Sequence, residues 1–286
     1  MTTNRHRLVT QVLSGQVAPP LLASGLYDVG ADGVARILPS VGGITLNVRV
    51  GDSAFGFESD HIEPAVSARH PDDRVNTAFC TFACIGNVAT VTGGEAKGEH
   101  GIVTGKHGGV EHVMIDFPDA VMERMQVGDA ISVRAVGAGL EIAGGGDVKV
   151  FNCDPDFFDK LGIVQNGARF RVPVARVVPA AVMGSGLGRS SVARGDYDIQ
   201  CFDAAMVEKY GLDRLRLGDI VAIQDADNTH GRVYRTGSVT IAIVAHGMSY
   251  VAGHGPGVTT ILTSASGAID AVTDERANVA TVLGLR

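Results

Sequence analysis

Between Ile223 and Thr260 the chain gathers side chains able to bind cations or move protons. Asp225, Asp227 and His230 share one polar stretch, an apolar run ends at His246, and His254 sits within Gly253-His254-Gly255-Pro256-Gly257. Carboxylates and imidazoles ligate divalent ions and act as acids or bases near neutral pH. Asp225 or Asp227 is therefore a candidate general base or ligand, and His246 or His254 a candidate ligand or proton donor. The amides of Gly255 and Gly257 are candidate oxyanion donors. Asp225-Ala226-Asp227 opens like a calcium loop, but Gly231 falls one place late and no Glu closes twelve residues, which rejects an EF-hand.

A second constellation is Glu58-Ser59-Asp60-His61-Ile62-Glu63, three carboxylates and an imidazole within six residues. In an extended segment Glu58 shares a face with Asp60, and His61 with Glu63. Asp60, His61, Glu63 and His230 form the candidate metal set, with donors suited to zinc or manganese. A solvated acidic loop is the alternative reading. A third group is His100, His107, Glu111 and His112. Gly108 and Gly109 argue against the helix of a zinc protease; a hairpin lined with polar residues is the plain reading, and His107 near a site the sharper one.

The stretch Met183–Ser191 is glycine-rich and offers Gly184, Ser185, Gly186 and Arg189 as a candidate anion-binding loop. No Gly-Lys-Ser/Thr follows, so it is not a P-loop, and a purely structural turn fits equally. Cys80 and Cys84, in an apolar strand-like run, read as buried inert thiols.

The elements that must hold these residues are mostly strands. Ile44–Val50 alternates, as do Ala130–Val136 and Phe170–Val174, where Pro173 implies an edge or a bend. Val239–Ala245 is apolar on both faces, the pattern of a central strand. Short helices are expected at Pro118–Met125, Phe157–Leu161 and Ala204–Tyr210, with another over Thr2–Leu13. An internal echo links Gly128-Asp129 and Gly218-Asp219, each after a short helix and before a strand, and Gly51-Asp52 repeats the pair. In such turns Gly supplies the bend and Asp caps amides. The fold class is mainly β (α+β), two barrel-like halves with short helices. The Gly137–Gly146 stretch divides residues 1–145 from 146–286.

Composition narrows the classes. Glycine counts 38 of 286 residues, about twice the usual ~7% and scattered as turns require. The 24 basic against 31 acidic residues speak against a nucleic-acid surface. No apolar run is long enough for a membrane span, no secretory signal is read at the N-terminus, and four cysteines make no disulfide framework. A cytoplasmic, homo-oligomeric protein with a small-molecule substrate is expected.

The blocks DHIEPAVS (Asp60–Ser67), MGSGLG with GDYDIQ (Met183–Gln200), and GDIVAIQDAD to AGHGPGVTTILT resemble a prokaryotic family catalogued as domain of unknown function 4438. The resemblance spans most of the chain and implies no reaction. A looser likeness in style is to the acetamidase/formamidase group, β-rich enzymes that hydrolyse small amides. The expected function is metal-assisted hydrolysis of a small amide or cyclic amide, with zinc or manganese. The alternatives are a non-catalytic binder of an anionic small molecule and a metal-independent acid/base lyase or isomerase.

Overall fold

A computed structural model describes residues 1–22, 27–184 and 191–286. The first half carries β1 (Gln11–Val17), β2 (Asp28–Val29), β3 (Ala35–Arg36), β4 (Ile44–Thr45), β5 (Ala65–Arg69), β6 (Val88–Val91), β7 (His100–His107), β8 (His112–Asp116) and β9 (Ala130–Ala135), with helices α1 (Asp73–Phe82) and α2 (Asp119–Met122). The second carries β10 (Lys149–Val150), β11 (Val164–Asn166), β12 (Arg169–Val174), β13 (Arg176–Pro179), β14 (Tyr197–Asp198), β15 (Ile220–Asp227), β16 (Val233–Val244), β17 (Gly257–Ser264) and β18 (Ile269–Thr273), with α3 (Pro155–Lys160), α4 (Ala204–Tyr210) and α5 (Val279–Leu283).

Six strands of the first half close on themselves. The order β1-β9-β6-β7-β8-β5 returns to β1, where Gln16 and Val17 pair with Arg69 and Ala68. Closure removes the free strand edges of an open sheet. Its interior is filled by small and branched residues, among them Val66, Val103, Ile115 and Val133. The second half builds the sheet β10-β17-β16-β15-β13, with β14 paired to β17. Val239–Ala245 lies in and just beyond the central strand β16, as its two-sided apolar pattern requires. A third sheet, β11-β12-β18, has β12 at its centre. Pro173 is tolerated there because β11 reaches only from Arg169 to Arg171.

The halves share both core and hydrogen bonds. Ile85 and Leu140 pack in one cluster with Ile220, Ile241 and Ile261. Thr259 Oγ1 on β17 accepts from the Lys106 amide (3.1 Å) and donates to the Lys106 carbonyl (3.0 Å) on β7. This seam between β7 and β17 is where the candidate site forms.

The Gly-Asp echo has one structural meaning. Asp52, Asp129 and Asp219 each accept the amide three residues earlier, from Arg49 (2.7 Å), Gln126 (2.8 Å) and Arg216 (2.9 Å). The preceding glycines hold φ of 103°, 91° and 83°, which L side chains rarely adopt.

Three expectations are corrected. Ile44–Val50 is strand only over Ile44–Thr45, because Arg49 turns inward to a buried pair with Asp116 (2.8 Å). Thr2–Leu13 is a 3-10 turn at Arg5–Arg7 running into β1, whose pairing closes the barrel. The Cys80 region is helical: Asp72 caps α1 by accepting from Arg74 and Val75, and Phe79 and Cys80 pack inward. The thiols are nonetheless buried, and burial pushes Cys80 up to about 12. Among the described residues no helix is long and apolar enough to cross a membrane.

Candidate metal centre

The segment Ser59–Glu63 is buried, with Glu63 fully enclosed. His61 takes φ 54°, a left-handed conformation costly for an L side chain and held only where surroundings enforce it. That twist breaks the expected strand alternation and sets His61 against its own neighbour: Nδ1 meets Asp60 Oδ2 at 2.6 Å. Asp60 is fixed in turn by the Tyr250 amide (2.8 Å).

The β7–β8 hairpin adds His107, paired across the strands with His112. His107 Nδ1 meets Glu63 Oε1 at 2.8 Å, and His112 Nδ1 meets Glu63 Oε2 at 2.9 Å. Glu63 also accepts from the Gly42 amide and the Ser67 hydroxyl. His246, just past β16 and fully buried, turns its Nδ1 to the Gly247 carbonyl (3.0 Å). A carbonyl or carboxylate only accepts, so the Nδ1 atoms of His61, His107 and His246 carry the protons. In the neutral ring each Nε2 is then the lone-pair nitrogen, the tautomer a metal ligand needs.

Those lone pairs converge on β14 and the loop before it. Asp196 and Asp198, two apart, face the same side, and Tyr197 faces the other. His246 Nε2 lies 3.0 Å and His107 Nε2 4.0 Å from Asp196 Oδ2. Asp198 Oδ2 lies 2.9 Å from His254 Nδ1 and 3.7 Å from His61 Nε2, and its Oδ1 lies 3.7 Å from His246 Nε2. Two groups that could each hold a metal ion result, His61–Asp198–His254 and His107–Asp196–His246. The stacked rings of His107 and His246, 4.1 Å apart, and the His61–His246 contact at 5.1 Å place the sets side by side. Asp198 turns one oxygen toward each group.

Electrostatics point to a cation. Asp60, Glu63, Asp196 and Asp198 are all buried, and among the described residues their only ion-pair partners are histidines. Buried carboxylates require compensating positive charge. Without a metal, protons must supply it. Burial pulls the His61 imidazole down, but the neighbouring Asp198 and Asp60 carboxylates outweigh that and hold it up at about 9. His246 is likewise raised against its burial by Asp196 and Asp198. His107 is lowered, by burial and then by His246. Asp198 and Glu63 resist the upward push of burial and sit below the usual carboxylate range, because of their histidines. A neutral His246 sets a lone pair against a carboxylate at 3.0 Å, which is repulsive unless a cation lies between. A tetrahedral ion with bonds of about 2.1 Å holds its ligands about 3.4 Å apart, within the observed 2.9–4.0 Å.

The sequence-derived candidates fall in three places. His61, His246 and His254 are in the ligand sets. Asp60 and Glu63, expected as ligands, stand behind histidines as their hydrogen-bond acceptors. Asp225, Asp227 and His230 do not join the cluster. Asp225 is the bulge residue of β15 and accepts the Gly237 amide, Asp227 caps Thr229, and His230 is exposed. The glycines serve close approach. A Cβ at Gly257 would lie 1.9 Å from His246 Nε2, one at Gly255 1.9 Å from the Ile199 carbonyl, and one at Gly184 2.0 Å from the Gly253 carbonyl. The Gly255 amide is committed to Asp198 Oδ2 (3.2 Å). Ser185, Gly186 and Arg189 lie outside the described residues. Asp196 and Asp198 were absent from the sequence-derived site, and His107 was placed only near one; the Asp-Tyr-Asp alternation at Asp196–Asp198 was the signal that could have found the two carboxylates.

Removing one acceptor behind a histidine should loosen the centre without emptying it. Glu63→Gln or Asp60→Asn is expected to weaken divalent-ion affinity by about 10–100-fold, read by competition with a chromophoric chelator.

Fold and cluster together define a mainly β protein with one closed six-stranded barrel and a histidine–aspartate cluster where it meets the second sheet. Family models for domain of unknown function DUF4438 match it, the N-terminal model over residues 27–159 and the C-terminal model over residues 160–283. The chain belongs to that family. A solved structure described as "Crystal structure of TM1086" is 46% identical, covers 98% of each chain and superposes with a TM-score of 0.93. No curated protein matches. Nothing in these matches carries the acetamidase/formamidase likeness.

Proposed function

We propose that the protein is a metal-dependent hydrolase of a small C–N substrate, a linear or cyclic amide, built on a pair of adjacent divalent-ion positions. The observation that carries this reading is the convergence of three Nε2 atoms, each ring held by an acceptor behind it, on Asp196 and Asp198. Three protein ligands per position leave a place for water or substrate, as in catalytic rather than structural sites. Ions there would polarise a carbonyl and acidify water.

In the overall reaction the oxygen of water bonds to the carbonyl carbon, the C–N bond breaks, and one proton of that water ends on the departing nitrogen. His61, His107, Asp196, Asp198 and His246 have side chains no more than 10% exposed, and His254 is 34% exposed. A substrate therefore approaches past His254, and its reacting end must be small. The nitrogen and carboxylate donors suit zinc or manganese; the two-histidine, one-carboxylate set also takes ferrous iron, so elemental analysis fixes the ion.

The test is hydrolysis of acetamide and 2-pyrrolidone by the protein as purified, after chelation, and after return of zinc or manganese. Activity lost to chelator and restored by metal is the expected result. Turnover indifferent to chelation, or none by the metal-loaded protein, contradicts the reading. Chelation should also lower the melting temperature, since an ion at 1,000 times its Kd stabilises the folded state by about 4 kcal/mol.

A further inference from the structure

On the face of β14 opposite the metal centre lies a cavity with about 340 Å³ of free space, part of it open to solvent, that the proposed hydrolysis does not use. Met183, Tyr197, Asp225, Asn228, Arg232 and Tyr234 line it. Two of these side chains are buried with polar atoms unsatisfied. Tyr197, 2% exposed, has a hydroxyl with no hydrogen-bond partner among the described residues, and Asn228, 1% exposed, has an Oδ1 likewise without one. Buried polar atoms without a protein partner are uncommon and call for water or a ligand. The Asn228 amide nitrogen is fixed on Thr260 Oγ1 (2.8 Å), which orients Oδ1 as an acceptor.

The charges complete a pattern. Arg232 donates to the Met183 and Gly184 carbonyls and, among the described residues, has no carboxylate ion pair. A guanidinium has five N–H donors, so it retains capacity for a carboxylate. Asp225, whose Oδ1 takes the Gly237 amide, adds negative charge to the same lining. The cavity thus offers a cation with a hydroxyl donor, and an anion with an amide acceptor.

We propose that this cavity binds a small zwitterion, an amino acid. Its carboxylate meets Arg232 and the Tyr197 hydroxyl, and its ammonium meets Asn228 Oδ1 and Asp225. Tyr197 lies between Asp196 and Asp198, so the bound amino acid touches the segment that carries both carboxylates of the histidine–aspartate cluster. The assignment does not depend on the hydrolase reading.

The experiment is calorimetric titration with glycine and L-alanine, with propionate and ethylamine as single-charge controls, before and after dialysis against chelator. The expected result is saturable binding of at least one amino acid, at least about tenfold tighter than either control and surviving chelation. Tyr197→Phe should weaken it about tenfold, the cost of a hydrogen bond to a charged group, and Arg232→Met should abolish it. Circular dichroism and metal content show whether each variant keeps the native fold. No binding, binding equal to the controls, binding lost on chelation, or binding unchanged in both folded variants overturns the proposal.

Discussion

Asp198→Asn is expected to release metal from both positions, whereas His254→Ala should release it from one. Asp198 turns Oδ2 to His61 and His254 and Oδ1 to His246. Asparagine keeps the shape but loses the charge and half of the acceptor capacity. Because substitutions behind a ligand already cost about 10–100-fold, loss of the shared ligand should exceed that at both positions. His254 contributes to one set only and is the most exposed ligand. Metal per chain, measured on folded protein, should fall to near zero in the first variant and by half in the second. Equal loss in both would mean the sets are not independent.

Gly257→Ala is the second large effect, and its origin is steric. A Cβ there would lie 1.9 Å from Nε2, 2.4 Å from Cδ2 and 2.7 Å from Cε1 of His246. Neither side can yield easily. His246 is fully buried and stacked on His107, and Gly257 sits in β17, its carbonyl bonded to the Ala245 amide and its strand paired with Asp198. Overpacking of this kind costs about 1–3 kcal/mol or more. The variant should melt several degrees lower and lose the ion of the His107–Asp196–His246 set. A variant with wild-type melting and full metal would show that His246 can leave its position without consequence.

Local chemistry was legible in the sequence and long-range convergence was not. The Gly-Asp turns could be read because each is a contact over three residues. Strand β16 could be read because its apolar run has no other home. Helix α1 was missed: Val75, Thr77 and Thr81 look strand-like, and only the Asp72 cap and the burial of Phe79 and Cys80 decide for helix. At the site, His61, His246 and His254 stood out by type and glycine context. Their partners did not, because His61 meets His254 across 193 residues and His107 meets Asp196 across the seam of two halves. Asp60 and Glu63 lie behind histidine rings and not in the two clusters, a placement set by the left-handed turn at His61, which is invisible to strand periodicity.

The central claim is that two divalent ions sit side by side between the barrel and the second sheet. Anomalous diffraction from crystals of the protein as purified, collected across the manganese, iron and zinc edges, tests it most directly. Two peaks are predicted, one among His61, Asp198 and His254 and one among His107, Asp196 and His246. A map with no anomalous density at either position, or with the ion held instead at Asp225 and Asp227, would contradict the account.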